Sequence, residues 1–181
     1  MIKKLALFGF TIALVIVAQP AFANSHASKL TSLGMSEIMF AQGMIPHHQQ
    51  AIEISNIALR QSKNSSVRKI ASQIIKAQKP EINQMLYWLA AKDAPIEMGH
   101  DMKMSGMLSE AKIADMKKLT GNQFDLPFLK AMIEHHQGAL EMLLMLSSSK
   151  NSEAKGLANS IRAVQSSEIS SMRILLKNLQ K

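Results

Sequence analysis

The chain has 181 residues, with 21 Lys and Arg against 13 Asp and Glu, a net charge of +8, six His, 14 Met and no Cys. Without cysteine there is no disulfide, no zinc ribbon and no thiolate nucleophile. Any site for a soft metal must therefore be assembled from methionine and histidine.

Residues 1–23 read as an export signal. Lys3 and Lys4 precede an apolar run from Leu5 to Ala18, and Ala21-Phe22-Ala23 is a small-x-small cleavage site. The run is shorter than the roughly 20 residues a spanning helix needs, so cleavage after Ala23 and a periplasmic location are expected, with no stable membrane insertion. Loss of Lys3 and Lys4 leaves a charge of +6. An exported protein does not meet nucleic acid, so the surplus reads as solvated helix faces.

Residues 24–35 read as a flexible tail. A mature chain beginning Asn24-Ser25-His26 offers its amine, two backbone amides and an imidazole, a four-nitrogen tetragonal set suited to Cu(II) or Ni(II).

From Ser36 to about Ser62 the apolar spacing predicts a first helix, with Pro46 inside it and a kink expected there. Asn64-Ser65 is a cap for a second helix whose stripe runs Val67, Ile70, Ala71, Ile74, Ile82, Met85 and Leu89. Gln78 interrupts that stripe and Glu81 follows it; either could orient a neighbouring imidazole.

The connection 92–125 is longer than a bundle turn requires. It contains Met98-Gly99-His100-Asp101-Met102-Lys103-Met104-Ser105-Gly106-Met107, whose methionine spacing fits no helical face. Met98, His100, Met102, Met104 and Met107 are candidate Cu(I) ligands, because thioethers are soft donors. Ser109 then caps a short helix ending near Thr120-Gly121.

Asp125 before Pro127 is the expected cap of a third long helix. That helix restates the first: Phe40 to Ile54 reads FAQGMIPHHQQAIEI, and Phe128 to Met142, 88 residues on, reads FLKAMIEHHQGALEM. Met44, His47 and His48 share one helical face, as do Met132, His135 and His136, which makes two sets of soft and borderline metal ligands. Asn151-Ser152 opens a fourth helix in which Gln165 and Glu168 repeat Gln78 and Glu81. Four amphipathic helices in two repeated hairpins, 36–91 and 126–181, predict an all-α four-helix bundle with a pseudo-twofold axis over residues 36–181.

A carboxylate-bridged di-iron or di-manganese bundle would need Glu-x-x-His on two helices, and none occurs. The paired Phe-x3-Met-Ile-x-His-His-Gln repeats, the Gln-x-x-Glu-Ile-x-x-Met partners and the Met-rich crossover resemble a bacterial ferritin-like family. That family is known as a domain of unknown function and includes periplasmic copper-binding proteins of the CopM type. The resemblance implies a ferritin-like bundle, export, and copper binding in copper tolerance. Its partners would be copper ions and another periplasmic copper protein or an efflux component.

The leading expectation is a non-catalytic periplasmic protein that holds or hands on copper, as Cu(I), Cu(II) or both. Its imidazole sites should release metal below about pH 6.5, the ordinary histidine pKa. The alternative is a helical adaptor or stress protein whose His-His-Gln clusters are structural hydrogen-bond networks.

Overall fold

The two hairpin turns are written with the same four residues, Ser62-Lys63-Asn64-Ser65 and Ser149-Lys150-Asn151-Ser152. The computed structural model, which describes residues 32–98 and 104–181, folds them alike. The Asn64 side chain accepts from the amides of Ser66 and Val67, and that of Asn151 from Glu153 and Ala154, so each satisfies two orphan amides at a helix start. The preceding serine hydroxyl accepts from the asparagine amide at 3.1 Å in both turns. The proposed export signal, the Asn24-Ser25-His26 terminus, His100 and Met102 lie outside the described residues.

The helices are α1 (Met35–Gln61), α2 (Ser65–Ala91), α3 (Glu110–Met116), α4 (Asn122–Met142) and α5 (Ser152–Leu179), with a 3-10 turn at Leu143–Leu146 closing α4. The long helices make the expected all-α bundle, and α3 is the short helix capped by Ser109. Helix α1 continues through Pro46, and α2 likewise carries Pro80. Among the described residues no helix is long and apolar enough to cross a membrane.

The expected start of α4 is corrected. Asp125 does not cap the helix: α4 begins at Asn122 behind Gly121, whose φ of 54° lies in the region glycine tolerates best. The Gly121 amide donates to the Gln61 carbonyl at 3.0 Å, which ties this start to the end of α1. Asp125 falls in the first turn, fully buried, with neither carboxyl oxygen hydrogen-bonded.

Two apolar clusters fill the bundle. One joins Phe40 and Met44 of α1 to Met85 and Trp88 of α2, Leu143 and Leu146 after α4, and Leu157 and Ile161 of α5. The other joins Ile54 and Ile57 to Val67 and Ile74, Phe124, Phe128 and Met132, and Ile169 and Met172. The start of α1 therefore packs with the end of α4, and the two run antiparallel. Between the clusters in sequence on every long helix come the buried polar residues His47, His48, Gln78, Glu81, His135, His136 and Gln165. The core is two apolar ends separated by a polar waist.

Candidate metal centre

The waist is held by the repeat itself. On α1, His47 and His48 follow Met44 by three and four positions, and α4 repeats this with His135, His136 and Met132, so antiparallel packing brings the four rings together. The His47 and His135 ring centroids are 3.8 Å apart; within each pair the centroids are 6.4 Å apart. All four residues have zero exposure.

Three of the rings are fixed by one nitrogen. His48 donates from Nε2 to Glu81 at 2.9 Å, and His136 from Nε2 to Glu168 at 2.8 Å. Of the side chains expected to orient the imidazoles, the glutamates do so, while both side-chain polar atoms of Gln78 and Gln165 are buried without a hydrogen-bond partner. His47 donates from Nε2 to the backbone carbonyl of Ser105 at 3.1 Å. A neutral imidazole that donates from one nitrogen presents a lone pair on the other. Among the described residues five ring nitrogens have no partner: Nδ1 of His47, His48 and His136, and both nitrogens of His135. Unpaired buried polar atoms cost about 1–3 kcal/mol each, so this concentration is a strain unless something binds there.

Burial, followed by the neighbouring His48, lowers the His47 pKa to about 3. Burial, then His47, His136 and His48, holds His135 well below the ordinary value. Both rings are thus neutral, the state a metal requires, far below pH 6.5. The expected release of metal near the ordinary histidine pKa therefore does not apply to His47 and His135, where a charge would be desolvated.

The donor chemistry suits a soft ion of low coordination. Among the described residues no three His, Asp or Glu side chains form a ready cage, and two of the carboxylates near the rings are engaged with imidazole N–H groups. Imidazole nitrogens fit copper better than Mg, Ca or Mn, which prefer oxygen.

The methionines divide. Met44 and Met132 are fully buried, one in each apolar cluster, on opposite sides of the waist. Met98 and Met104 come together against Gly43, whereas Met107 lines a groove with Lys112, Glu134 and Gln137.

The residues that pin the crossover to this site were not read from the sequence. The Gln50 carboxamide donates to the Leu108 carbonyl at 2.9 Å and accepts from its amide at 2.8 Å, while Gln42 donates to the Pro95 carbonyl at 2.8 Å. Between these anchors Ser105 lies on Gly138, where a Cβ would fall 2.0 Å from the Ser105 oxygen. The signal was available in the unequal positions of the repeat. Gly43 stands opposite Ala131, Pro46 opposite Glu134 and Gln50 opposite Gly138.

Residues 37–176 match the family described as Domain of unknown function (DUF305). The fold is similar to a DUF305 protein of Streptomyces coelicolor described as secreted, at 30% identity and a TM-score of 0.76 over 80% of this chain and 94% of that one. It is also similar to a DUF305 fragment from Deinococcus radiodurans, at 33% identity and 0.73 over 80% and 97%. CopM in its Cu(I)-bound form is 28% identical, with a TM-score of 0.66 over 78% and 96%. A curated relative, uncharacterized protein L153 of Acanthamoeba polyphaga mimivirus, is 34% identical over 55 residues, only 36% of its length.

Proposed function

The chain belongs to the DUF305 family, and on that premise we propose that it is an exported copper-binding protein whose cargo is held at the polar waist by His47, His48, His135 and His136. The observation that carries the reading is the set of five unpartnered ring nitrogens in a fully buried cluster, with Glu81 and Glu168 orienting two of the rings. The likeness to CopM in its Cu(I)-bound and Cu(II)-bound forms supports copper as the ion.

The protein sequesters copper or passes it on, in copper tolerance, without catalysis. Its partners are copper ions and another periplasmic copper protein or an efflux component. Met44 and Met132 flank the rings, the crossover methionines with His100 supply soft donors, and Asn24-Ser25-His26 supplies a Cu(II) terminus once residues 1–23 are removed.

The test is Cu(I) titration of the mature chain against a competing chelator, beside a His47→Leu/His135→Leu variant. Loss of the tightest equivalent in the variant is expected. Equal uptake by both proteins would return the histidines to a purely structural role, the adaptor reading that the His48–Glu81 and His136–Glu168 hydrogen bonds favour.

A further inference from the structure

The rings of the waist have no exposure, so whatever they hold must pass between helices to reach them. Around the bundle α1 packs on α2 and α4, and α5 packs on the same two. The α1–α4 junction is roofed by the crossover, where Gln50 holds Leu108 and Ser105 rests on Gly138. The α2–α5 junction on the far side is instead hollowed into two grooves, of about 410 and 700 Å³, lined by residues of α2 and α5 alone. Ala77 and Val164 line both grooves and form the sill between them.

Each groove reaches a glutamate that holds a ring. Glu81 lines the smaller and Glu168 the larger; their side chains are 9% and 13% exposed and accept from His48 and His136. One carboxylate thus borders the groove and a buried imidazole at once. The grooves differ in charge. The smaller adds Glu153 to Glu81 with no Lys or Arg in its lining, whereas the larger sets Lys76 beside Glu168.

We propose that the smaller groove is the entrance by which the ion passes between solvent and the waist, with Glu81 receiving it beside His48, and that the Glu168 groove is not used.

Three observations support this. The smaller groove ends on a carboxylate in direct contact with one of the four buried rings. Two carboxylates without a neighbouring cation concentrate cations in a cleft, while Lys76 offsets the charge of Glu168. Finally, the smaller groove is lined by Gly156, inside α5, where an added Cβ would meet nothing within 4 Å. Glycine within a helix costs stability relative to alanine, and no close approach of another chain segment requires it here. What the missing side chain does is keep the groove open. The competing explanation is a solvated furrow whose glutamate only orients His48, and filling such a furrow would change nothing.

The inference rests on the copper-binding reading, and the experiment separates the two. An obstacle on a path slows entry and exit alike and leaves the equilibrium untouched. Cu(I) is delivered from a weak coloured chelator and followed by stopped-flow absorbance in the wild-type chain, Gly156→Phe and Ser167→Phe. The loading phase of interest is the one that His47→Leu/His135→Leu lacks. Gly156→Phe is expected to slow that phase, and removal by excess chelator, by about tenfold or more, with stoichiometry and affinity unchanged. Ser167→Phe fills only the larger groove and should leave both rates as they are. Both positions are exposed, so neither substitution enters the core. Glu81→Gln keeps an acceptor for the His48 Nε2–H but removes the charge, and it too should slow loading. Wild-type rates in Gly156→Phe, or equal slowing by Ser167→Phe, would overturn the entrance and leave the copper-binding reading intact. A weakened affinity in Gly156→Phe would also overturn it, because the position would then act on the bound state. A loading phase that persists in His47→Leu/His135→Leu overturns both readings.

Discussion

The rings of His47 and His135 lie with their centroids 3.8 Å apart and tilted by 42°, although the residues are 88 positions apart. Each is the counterpart of the other in the repeat. The contact therefore sits where the two halves of the chain are related to each other.

His135 has two unpartnered ring nitrogens at a fully buried position. In metal-free protein, His135→Leu should raise stability by about 1–3 kcal/mol, because it removes desolvated polar atoms that return nothing. The same variant should bind Cu(I) more weakly. Denaturant unfolding without metal and chelator competition with it measure the two effects. A destabilised apo variant would mark His135 as part of a satisfied network.

The histidine burial also makes apo stability depend on pH. Well above 6.5 folded and unfolded chains are both neutral at His47. As pH falls through 6.5 towards the folded value of about 3, the unfolded chain takes up a proton that the folded core refuses, so stability is lost. The steepest slope is about 1.4 kcal/mol per pH unit for His47. Urea unfolding between pH 7 and 4 should show the decline, and it should flatten in His47→Leu/His135→Leu.

Glu37 anchors the start of α1 to the second hairpin turn. Burial pushes its carboxyl pKa up, but hydrogen bonds from the Ser149 hydroxyl, the Gly34 amide and the Ser36 hydroxyl outweigh this and leave it below 4.5. A depressed carboxylate stabilises above its unfolded pKa, and that contribution disappears as pH falls through the folded one. Glu37→Gln should cost about 1–3 kcal/mol at pH 7. The gap from wild type should narrow at pH 3, which paired thermal melts would reveal.

Gly138→Ala tests the crossover. Its methyl would collide with the Ser105 carbonyl, a backbone group with little room to yield. The segment should lift, His47 should lose its acceptor, and amide exchange over residues 104–108 should accelerate at least tenfold. Gly43→Ala is the control: it meets only the flexible ends of methionine side chains and should leave exchange unchanged. Equal protection in both variants would mean that the segment does not rest on Gly138.

The bundle was legible because periodicity, caps and repetition agree. Asn64 and Asn151 cap as their positions indicate, and Ser109 opens the short helix. The four histidines were legible as two pairs, but whether the pairs meet was not, because that depends on how α1 and α4 pack across the bundle. The start of α4 was misread because Asp-x-Pro resembles a cap, while the actual turn depends on the positive φ of Gly121. Met142 was not legible as a neighbour of Gly43, where Met98 and Met104 also end, because it lies outside the Met-rich run. Nothing local to Ser105 marks its carbonyl as a histidine partner, since long-range placement decides it.

The crossover treats two equivalent positions in opposite ways. A dimer of identical hairpins would present the His47–His135 contact on its symmetry axis as a self-complementary junction, with the same approach from either side. The fused chain has given up that equivalence. Gln50 grips Leu108 through both ends of its amide, while its counterpart Gly138 lies bare beneath Ser105. The same segment pins the His47 ring by its Nε2–H, whereas both nitrogens of His135 are without a partner. The two rings that meet at the junction are therefore held unequally, His47 by a backbone acceptor and His135 by packing alone. The junction thereby has two unlike sides, which two identical hairpins could not supply.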